Sequence, residues 1–171
     1  ALQHRGQESA GIVAGDGRQV AINKEMGLVA DVFNERTLQK LSVHLATGHV
    51  RYSTTGESTL INTQPFLATH KGMSLSVAHN GNLVNSMALR RHLEQQGSIF
   101  QTAMDSEIVI HLMARHLDRG LQEAIKTTFS CIQGAYSLLL MTQDTMNAVR
   151  DPNGFRPLCL GVLENGAHVV A

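Results

Sequence analysis

Aromatic residues make up only 4% of this 171-residue chain, and Trp is absent. Such a small supply of planar side chains argues against a surface on which nucleic-acid bases stack. Basic and acidic residues number 14 each, so there is no net charge to attract nucleic acid or a membrane surface. No apolar run approaches the roughly 20 residues that cross a bilayer. We therefore expect neither a nucleic-acid partner nor a membrane partner.

Cysteine is also scarce, because the chain has only Cys131 and Cys159. Such sparse use predicts reduced, buried thiols in a cytoplasmic protein and no disulfide framework. Nine histidines are present, but none lies in a His-Glu-x-x-His motif, and His111 and His116 are five residues apart. Scattered histidines are thus favoured over a metal site. Phosphate-loop and serine-hydrolase motifs are absent from the sequence as well.

The hydrophobic pattern, with 43% hydrophobic residues, predicts one globular domain with a core. Strands are predicted at 9–14, 19–24, 46–52, 73–77, 135–142, 147–150, 158–163 and 167–171. Helices are predicted at 31–42, 86–96, 105–119 and 121–133. The second helix should have Asn85 as its N-cap, with Val84 and Leu89 as a hydrophobic staple. Strands in two blocks with helices grouped between them predict an α+β fold with mainly antiparallel sheets.

The rest of the chain is organised around 77–82, Val-Ala-His-Asn-Gly-Asn. An alternating run at 73–77 predicts a strand that ends here, shortly before a helix begins. At such a junction the side-chain amide of Asn80 and the backbone N–H of Gly81 would be two convergent donors, as a developing oxyanion requires. The alternative is that Asn-Gly is simply a turn.

Two charged residues suit the recognition of an amino acid. Arg51 ends an apolar strand before the Ser/Thr/Gly-rich loop at 53–59, and a guanidinium can hold a carboxylate through two parallel hydrogen bonds. Asp105 could accept hydrogen bonds from an ammonium group, but at a helix start it is also an N-cap candidate. The alternative for Arg51 is a surface residue paired with a Glu. Together with the donor pair, Arg51 and Asp105 would suit an amino acid that carries an amide.

Several motifs occur in the same order as those of a known family. They are Gln-His-Arg-Gly-Gln-Glu-Ser-Ala-Gly at 3–11, Gly-His-Val-Arg-Tyr at 48–52, His-Asn-Gly-Asn-Leu at 79–83 and Asp-Ser-Glu at 105–107. With them, the chain resembles class II glutamine amidotransferase domains, which have the N-terminal-nucleophile hydrolase fold. The run Asp-Pro-Asn-Gly-Phe-Arg-Pro-Leu at 151–158 makes it similar, within these, to the amidophosphoribosyltransferase family.

This resemblance implies a four-layer αββα sandwich and a role for each matching residue. Arg51 would bind the α-carboxylate of glutamine, helped by Thr54 in a loop that closes over the substrate. Asp105 would bind the α-ammonium group. Asn80 and Gly81 would form the oxyanion hole.

In this family the nucleophile is an N-terminal cysteine whose own α-amino group serves as general base. Arg5 would lie near that cysteine, and neither Cys131 nor Cys159 can supply a free α-amine. Both ends of the chain look cut. We therefore expect that a first strand and helix, carrying the cysteine, precede Ala1. Residues 1–171 would then be one truncated, inactive amidotransferase domain.

The resemblance also implies what the intact enzyme does. Glutamine would be hydrolysed, and its ammonia would pass to an absent C-terminal phosphoribosyltransferase domain. That domain, with Mg²⁺, would convert phosphoribosyl pyrophosphate to 5-phosphoribosylamine, the first step of de novo purine biosynthesis. A homo-oligomer is implied, while an iron–sulfur cluster stays open. Two alternatives remain: a glutamine-binding module without catalysis, and the amidotransferase domain of glucosamine-6-phosphate synthase.

Overall fold

The computed structural model describes residues 2–41, 43–52 and 58–171. In these residues helices and strands both occur, and every strand pairing is antiparallel. The α+β class and the antiparallel sheets expected from the sequence are confirmed. Among the described helices, none is long and apolar enough to cross a membrane.

Three strands form the smaller of the two main sheets, in the order β2-β1-β3. They are β1 (Ser9–Gly15), β2 (Val20–Met26) and β3 (Leu45–Arg51). The turn between β1 and β2 is held by the carboxylate of Asp16, which accepts the backbone N–H groups of Arg18 and Gln19 at 2.8 and 2.7 Å. The predicted hairpin is confirmed.

Four strands form the larger sheet, in the order β4-β5-β6-β7. They are β4 (Phe66–His70), β5 (Met73–Leu83), β6 (Gly134–Met141) and β7 (Met146–Arg150). Three helices are associated with this sheet: α3 (Ser86–Gln95), α4 (Ser106–Ala114) and α5 (Leu121–Cys131). The main hydrophobic core lies between these helices and the sheet and includes Val77, Ile108 and Leu138, each almost fully buried.

The two main sheets face each other through one side of β3. Thr47 reaches Met141 on β6, His49 reaches the backbone of β5, and Arg51 reaches Met104 before α4. On the smaller sheet, the short helix α1 (Val29–Val32) packs against β1 and β2. Two facing sheets between helical elements give the αββα arrangement that the resemblance implies.

Several elements differ from those predicted from the sequence. The helix predicted at 31–42 is two short helices, α1 and α2 (Glu35–Gln39), because Asn34 adopts an extended conformation and caps α2 by accepting the Thr37 N–H at 3.0 Å. Strand β4 was not predicted. β5 continues past Val77 as far as Leu83.

The helix predicted at 105–119 is also shorter than expected. It ends at Ala114 and is followed by a separate 3₁₀ turn at Leu117–Arg119. α3, in contrast, stops as predicted at Gly97, which has a φ of 87° and donates its N–H to Glu94.

The chain ends in a small hairpin of β8 (Leu160–Val162) and β9 (His168–Val170). Cys159 pairs with Ala171 through its backbone beside this hairpin. Both Cys131 and Cys159 are free thiols, as expected, but both are exposed. The prediction that they are buried is wrong, because Cys131 ends α5 at the surface and Cys159 precedes an outer hairpin.

Candidate functional site

A cavity of about 700 Å³ is lined by residues from the facing sides of the two main sheets and from the segments around them. Its wall contains five residues singled out from the sequence: Arg5, Arg51, Asn80, Gly81 and Asp105. These residues come from widely separated parts of the chain, so the fold supplies the convergence that spacing alone could not show. Thr54, the other candidate, lies outside the described residues.

Arg5 ends a 3₁₀ turn at Leu2–Arg5 and is exposed beside the cavity. The next residue, Gly6, packs against β3, and a Cβ there would lie 2.6 Å from the carbonyl carbon of Arg51. Only glycine allows this close approach. The first motif thereby places Arg5 and Arg51 in the same wall.

Arg51 is 2% exposed, so the alternative of a surface arginine is wrong. A Glu partner does exist, because one terminal nitrogen of Arg51 lies 3.4 Å from Oε2 of Glu8. The other terminal nitrogen lies 3.8 Å from the sulfur of Met104. With five N–H donors, a guanidinium can hold these partners and a ligand carboxylate together.

Asp105 precedes α4, but its side chain does not cap that helix. Oδ2 instead accepts the backbone N–H of Leu83 at 2.8 Å, and Oδ1 lies 3.3 Å from Nδ1 of His79. Burial opposes ionisation, but hydrogen bonds from His79, Leu83 and Ser106 outweigh it and lower the pKa of Asp105. The cavity therefore has an anionic wall at neutral pH, and the carboxylate keeps lone pairs for a further donor.

Glu107 holds the loop that leads to Asp105. Its carboxylate accepts the backbone N–H groups of Gln101 and Thr102, each at 2.8 Å, and the Thr102 hydroxyl at 2.7 Å. Nε2 of His111 lies 3.6 Å away. The Asp-Ser-Glu motif thus combines one carboxylate in the cavity wall with another that fixes the preceding loop.

Asn80 and Gly81 lie within β5, so the predicted strand-to-helix junction at this point is wrong. The simple-turn alternative is also wrong. Val77 belongs to the helix-side core, and residues alternate along a strand, so Ala78 and Asn80 face the cavity instead. An added Cβ at Gly81, whose φ is 148°, would clash with the carbonyl oxygen of Ala135 on β6. Glycine is therefore required at this position.

The direction of the Gly81 N–H follows from its partner across the ladder, Tyr136. The N–H and C=O of Tyr136 are bonded to Asp151, on the far side of β6. Gly81 and Tyr136 therefore form a pair without mutual hydrogen bonds, and the Gly81 N–H points away from β6. Since β4 pairs with β5 only as far as Val77, this N–H faces the open edge of β5 beside the cavity.

The helix after β5 begins at Ser86 with Asn85 in the N-cap position, as predicted. Asn85 does not cap it, however. Its side chain bonds the Cys131 carbonyl at 2.9 Å and the Gln133 N–H at 3.0 Å, which ties α3 to the end of α5. Val84 is exposed, so the structure does not support the predicted staple.

Two residues of the cavity wall were missed by sequence reasoning. The buried side chain of Gln64 accepts the His79 N–H at 2.7 Å. Nε2 of His49 lies 3.2 Å from the His79 carbonyl oxygen. The Gly-His-Val-Arg-Tyr motif contained His49, but only the fold shows what the imidazole contacts. No group of three or more His, Cys, Asp or Glu side chains in the described ranges is placed to hold a metal ion.

The Asp-Pro-Asn-Gly motif forms a loop built on the carboxylate of Asp151. That carboxylate accepts four backbone N–H groups, those of Tyr136, Asn153, Phe155 and Arg156, at 3.1 to 3.3 Å. Burial opposes ionisation, but these hydrogen bonds outweigh it and lower the pKa of Asp151. The loop presents Arg156, Pro157 and Leu158 to the cavity.

Most of this chain is similar to a known protein family. A family profile described as "Glutamine amidotransferase domain" matches residues 49–171. The chain belongs to the glutamine amidotransferase family. The matched range contains four of the cavity-wall residues described above, Arg51, Asn80, Gly81 and Asp105.

Curated relatives of this amidotransferase domain share about half of its residues. The amidophosphoribosyltransferase of Methanocaldococcus jannaschii is 49% identical over 171 residues, which are 99% of this chain and 36% of the relative. That of Bacillus subtilis is 47% identical over 99% of this chain and 36% of the relative. Amidophosphoribosyltransferase 1, chloroplastic, of Arabidopsis thaliana is 51% identical over 100% of this chain and 30% of the relative. The chain thus spans about a third of the length of these relatives.

Solved structures show the same fold. Glutamine phosphoribosylpyrophosphate amidotransferase from B. subtilis, complexed with ADP and GMP, superposes with a TM-score of 0.91 at 46% identity, covering 99% of this chain and 36% of that one. A structure described as the allosteric regulatory enzyme of purine biosynthesis superposes with a TM-score of 0.92 at 47% identity, covering 99% of this chain and 36% of that one. The N-terminal-nucleophile hydrolase fold of the amidotransferase domain is therefore confirmed.

Proposed function

We propose that this chain is the glutaminase part of an amidophosphoribosyltransferase. One observation carries the proposal. The buried guanidinium of Arg51, the ionised carboxylate of Asp105 and the backbone N–H of Gly81, which points away from β6, all lie in the wall of the same cavity. These groups complement the carboxylate, the ammonium and the side-chain carbonyl of glutamine. The relatives' names and the Asp-Pro-Asn-Gly loop support this enzyme over a hexosamine-forming one.

In the proposed complex, Arg51 binds the α-carboxylate of glutamine and Asp105 binds its α-ammonium group. Thr54 assists Arg51. The amide of Asn80 and the N–H of Gly81 stabilise the oxyanion that forms as the side-chain carbonyl is attacked. Arg5 lies near the attacking group.

The proposed nucleophile is a cysteine thiol activated by its own α-amino group, supplied by chain that precedes Ala1. Cys131 and Cys159 are exposed and do not line the cavity. The thiol attacks the amide carbon, the C–N bond breaks, and ammonia leaves with the proton from the thiol. Water then hydrolyses the thioester to glutamate. Residues 1–171 alone would be inactive.

The second half of the proposed reaction takes place outside these residues. A phosphoribosyltransferase domain, with Mg²⁺, would use the ammonia to displace pyrophosphate from phosphoribosyl pyrophosphate. We also propose a homo-oligomer, and a cytoplasmic location for a non-plant host. Size-exclusion chromatography and cell fractionation test these two points; a monomer or an organelle-bound protein would contradict them.

The test of the proposed function is glutamine hydrolysis by the full-length protein, measured as glutamate release. Hydrolysis should be accompanied by pyrophosphate release when phosphoribosyl pyrophosphate and Mg²⁺ are added. Arg51→Lys should raise the KM for glutamine roughly 10- to 100-fold, because a bond to a charged group contributes about 1.5–3 kcal/mol. The control is Arg91→Lys, an exposed arginine on α3, which should change nothing.

Three results would contradict the proposal. Glutamine binding without hydrolysis would indicate a binding module. Transfer of ammonia to fructose 6-phosphate would indicate the hexosamine enzyme. An unchanged KM in Arg51→Lys would remove Arg51 from the site.

A further inference from the structure

Side chains rather than a neighbouring strand hold the open edge of β5. The N–H of His79 donates to Oε1 of Gln64 at 2.7 Å, and its carbonyl oxygen lies 3.2 Å from Nε2 of His49. Four residues later, the N–H of Leu83 donates to Asp105. Gly81 lies midway between these attachments. Its N–H direction is therefore fixed from both sides.

Gln64 and His49 rest on the smaller sheet. Gln64 is 3% exposed, and its backbone carbonyl oxygen occupies the space where a Cβ on Gly11 of β1 would lie. Before it, the Thr63 carbonyl accepts Nζ of Lys24, on β2, at 2.8 Å. His49 pairs with Gly11 across the β1–β3 ladder. Both side chains thus connect the smaller sheet to the edge of β5 in the larger sheet.

The chemistry of the His49 imidazole suits a fixed donor. A carbonyl oxygen can only accept, so Nε2 must carry the proton. Burial lowers the pKa of His49 to about 4, and the nearby positive charge of Arg51 acts in the same direction, although the bond to the His79 carbonyl opposes this. The ring is therefore neutral at physiological pH and adds no second cation beside Arg51.

We propose that His49 and Gln64 are positioning residues for the amidotransferase reaction, holding the His79 peptide groups so that the Gly81 N–H stays directed into the cavity. This inference rests on the proposed function, in which that N–H meets the oxyanion. An oxyanion donor must lie within about 2.7–3.1 Å of the position that the charged oxygen will occupy. A small shift of the His79 peptide groups would therefore weaken transition-state stabilisation, while Arg51, on β3, stays in place to bind the α-carboxylate of glutamine.

The test compares His49→Leu and Gln64→Met in the full-length protein. Each variant keeps the approximate volume but removes one bond to His79. We expect kcat for glutamine hydrolysis to fall roughly 10-fold or more, since losing an oxyanion donor outright costs about 10²–10³-fold. The KM should stay within about twofold. His49→Gln, which restores an N–H donor at the same reach, should recover most of kcat.

Thr47→Val is the matched control. Thr47 lies on the same face of β3 as His49, and its hydroxyl also crosses to the larger sheet, where it contacts the sulfur of Met141 at 3.5 Å. Thr47 is not among the residues that line the cavity. Its kcat and KM should equal those of the unchanged protein.

Hydrogen exchange of a peptide covering residues 78–84 gives a readout that does not depend on activity. Exchange should be faster in His49→Leu and Gln64→Met than in Thr47→Val, without faster exchange in α4 or β6. If the unchanged protein fails to hydrolyse glutamine, the proposed function fails, and this measurement still decides whether the two residues hold β5. Exchange equal to that of the control would overturn the inference. So would faster exchange throughout the domain with kcat and KM changing together, which indicates general destabilisation.

Discussion

Replacing Glu107 by Gln should destabilise the protein in a way that depends on pH. Burial alone would raise the pKa of this carboxyl, but hydrogen bonds from His111, Gln101 and Thr102 lower it from 4.5 to about 2. A pKa that is lower in the folded state stabilises the protein above the unfolded value, near pH 4.5. That contribution is lost as the pH falls through about 2.

The magnitude follows from this change in pKa. At about 1.36 kcal/mol per pH unit, a fall from 4.5 to about 2 corresponds to a ceiling of about 3.4 kcal/mol in the free energy of unfolding. Solvent close to the carboxylate screens part of this, so we expect about 1.5–2 kcal/mol at pH 7. The linkage relation then predicts that less than about half of this remains at pH 3.

The assay is urea unfolding of the unchanged protein and Glu107→Gln at pH 7, 4 and 3. Taking the difference at each pH cancels the titration of other carboxylates. Glu94→Gln is the control, because Glu94 forms an exposed pair with Arg90 on α3, worth at most about 0.5 kcal/mol. A destabilisation by Glu107→Gln that is the same at pH 7 and pH 3, or no larger than that of Glu94→Gln, would refute the reasoning.

Three further substitutions test the fold around the site. Gly81→Ala should cost about 1–3 kcal/mol in urea unfolding, because its Cβ would meet Tyr136 at 2.7 Å in a strained conformation; Gly161→Ala, in open space, should be neutral, and equal effects would contradict this. Leu138→Ala, fully buried, should cost about 2–5 kcal/mol by the same assay, and a cost below 1 would contradict close packing there. Asp151→Asn should lower Tm in a thermal melt, because an amide N–H₂ would face backbone donors; an unchanged Tm would count against the loop's role.

Local chemistry accounts for what could be predicted from the sequence. The hairpin after β1 and the end of α3 at Gly97 depend on a few adjacent residues, so both were predicted correctly. Strand β4 was missed because its five residues show no clear alternation and follow Pro65. The extension of β5 was missed because Asn80 and Gly81 favour turns in isolation, whereas pairing with β6 keeps them extended.

The sequence predicted the charged residues of the candidate site, but not the residues that hold them and β5 in place. Arg51 and Asp105 were identified from residue type and from their places at the end of a strand and the start of a helix. The roles of Gln64 and His49 depend on contacts with His79 across 15 and 30 residues of sequence. No local pattern specifies such contacts. The same holds for the carboxylate of Asp105, which bonds β5 rather than its own helix.

The side chains along β5 also affect how this edge meets other polypeptides. An unpaired strand edge is a template on which a strand from another molecule can add. An incoming strand needs free donors at alternate residues, but those of His79 and Leu83 are already bonded. Gly81 alone offers a donor between them, which suits a single carbonyl oxygen rather than a peptide backbone. The side chains that bond this edge of β5 thereby make it resist strand addition and the aggregation that follows from it.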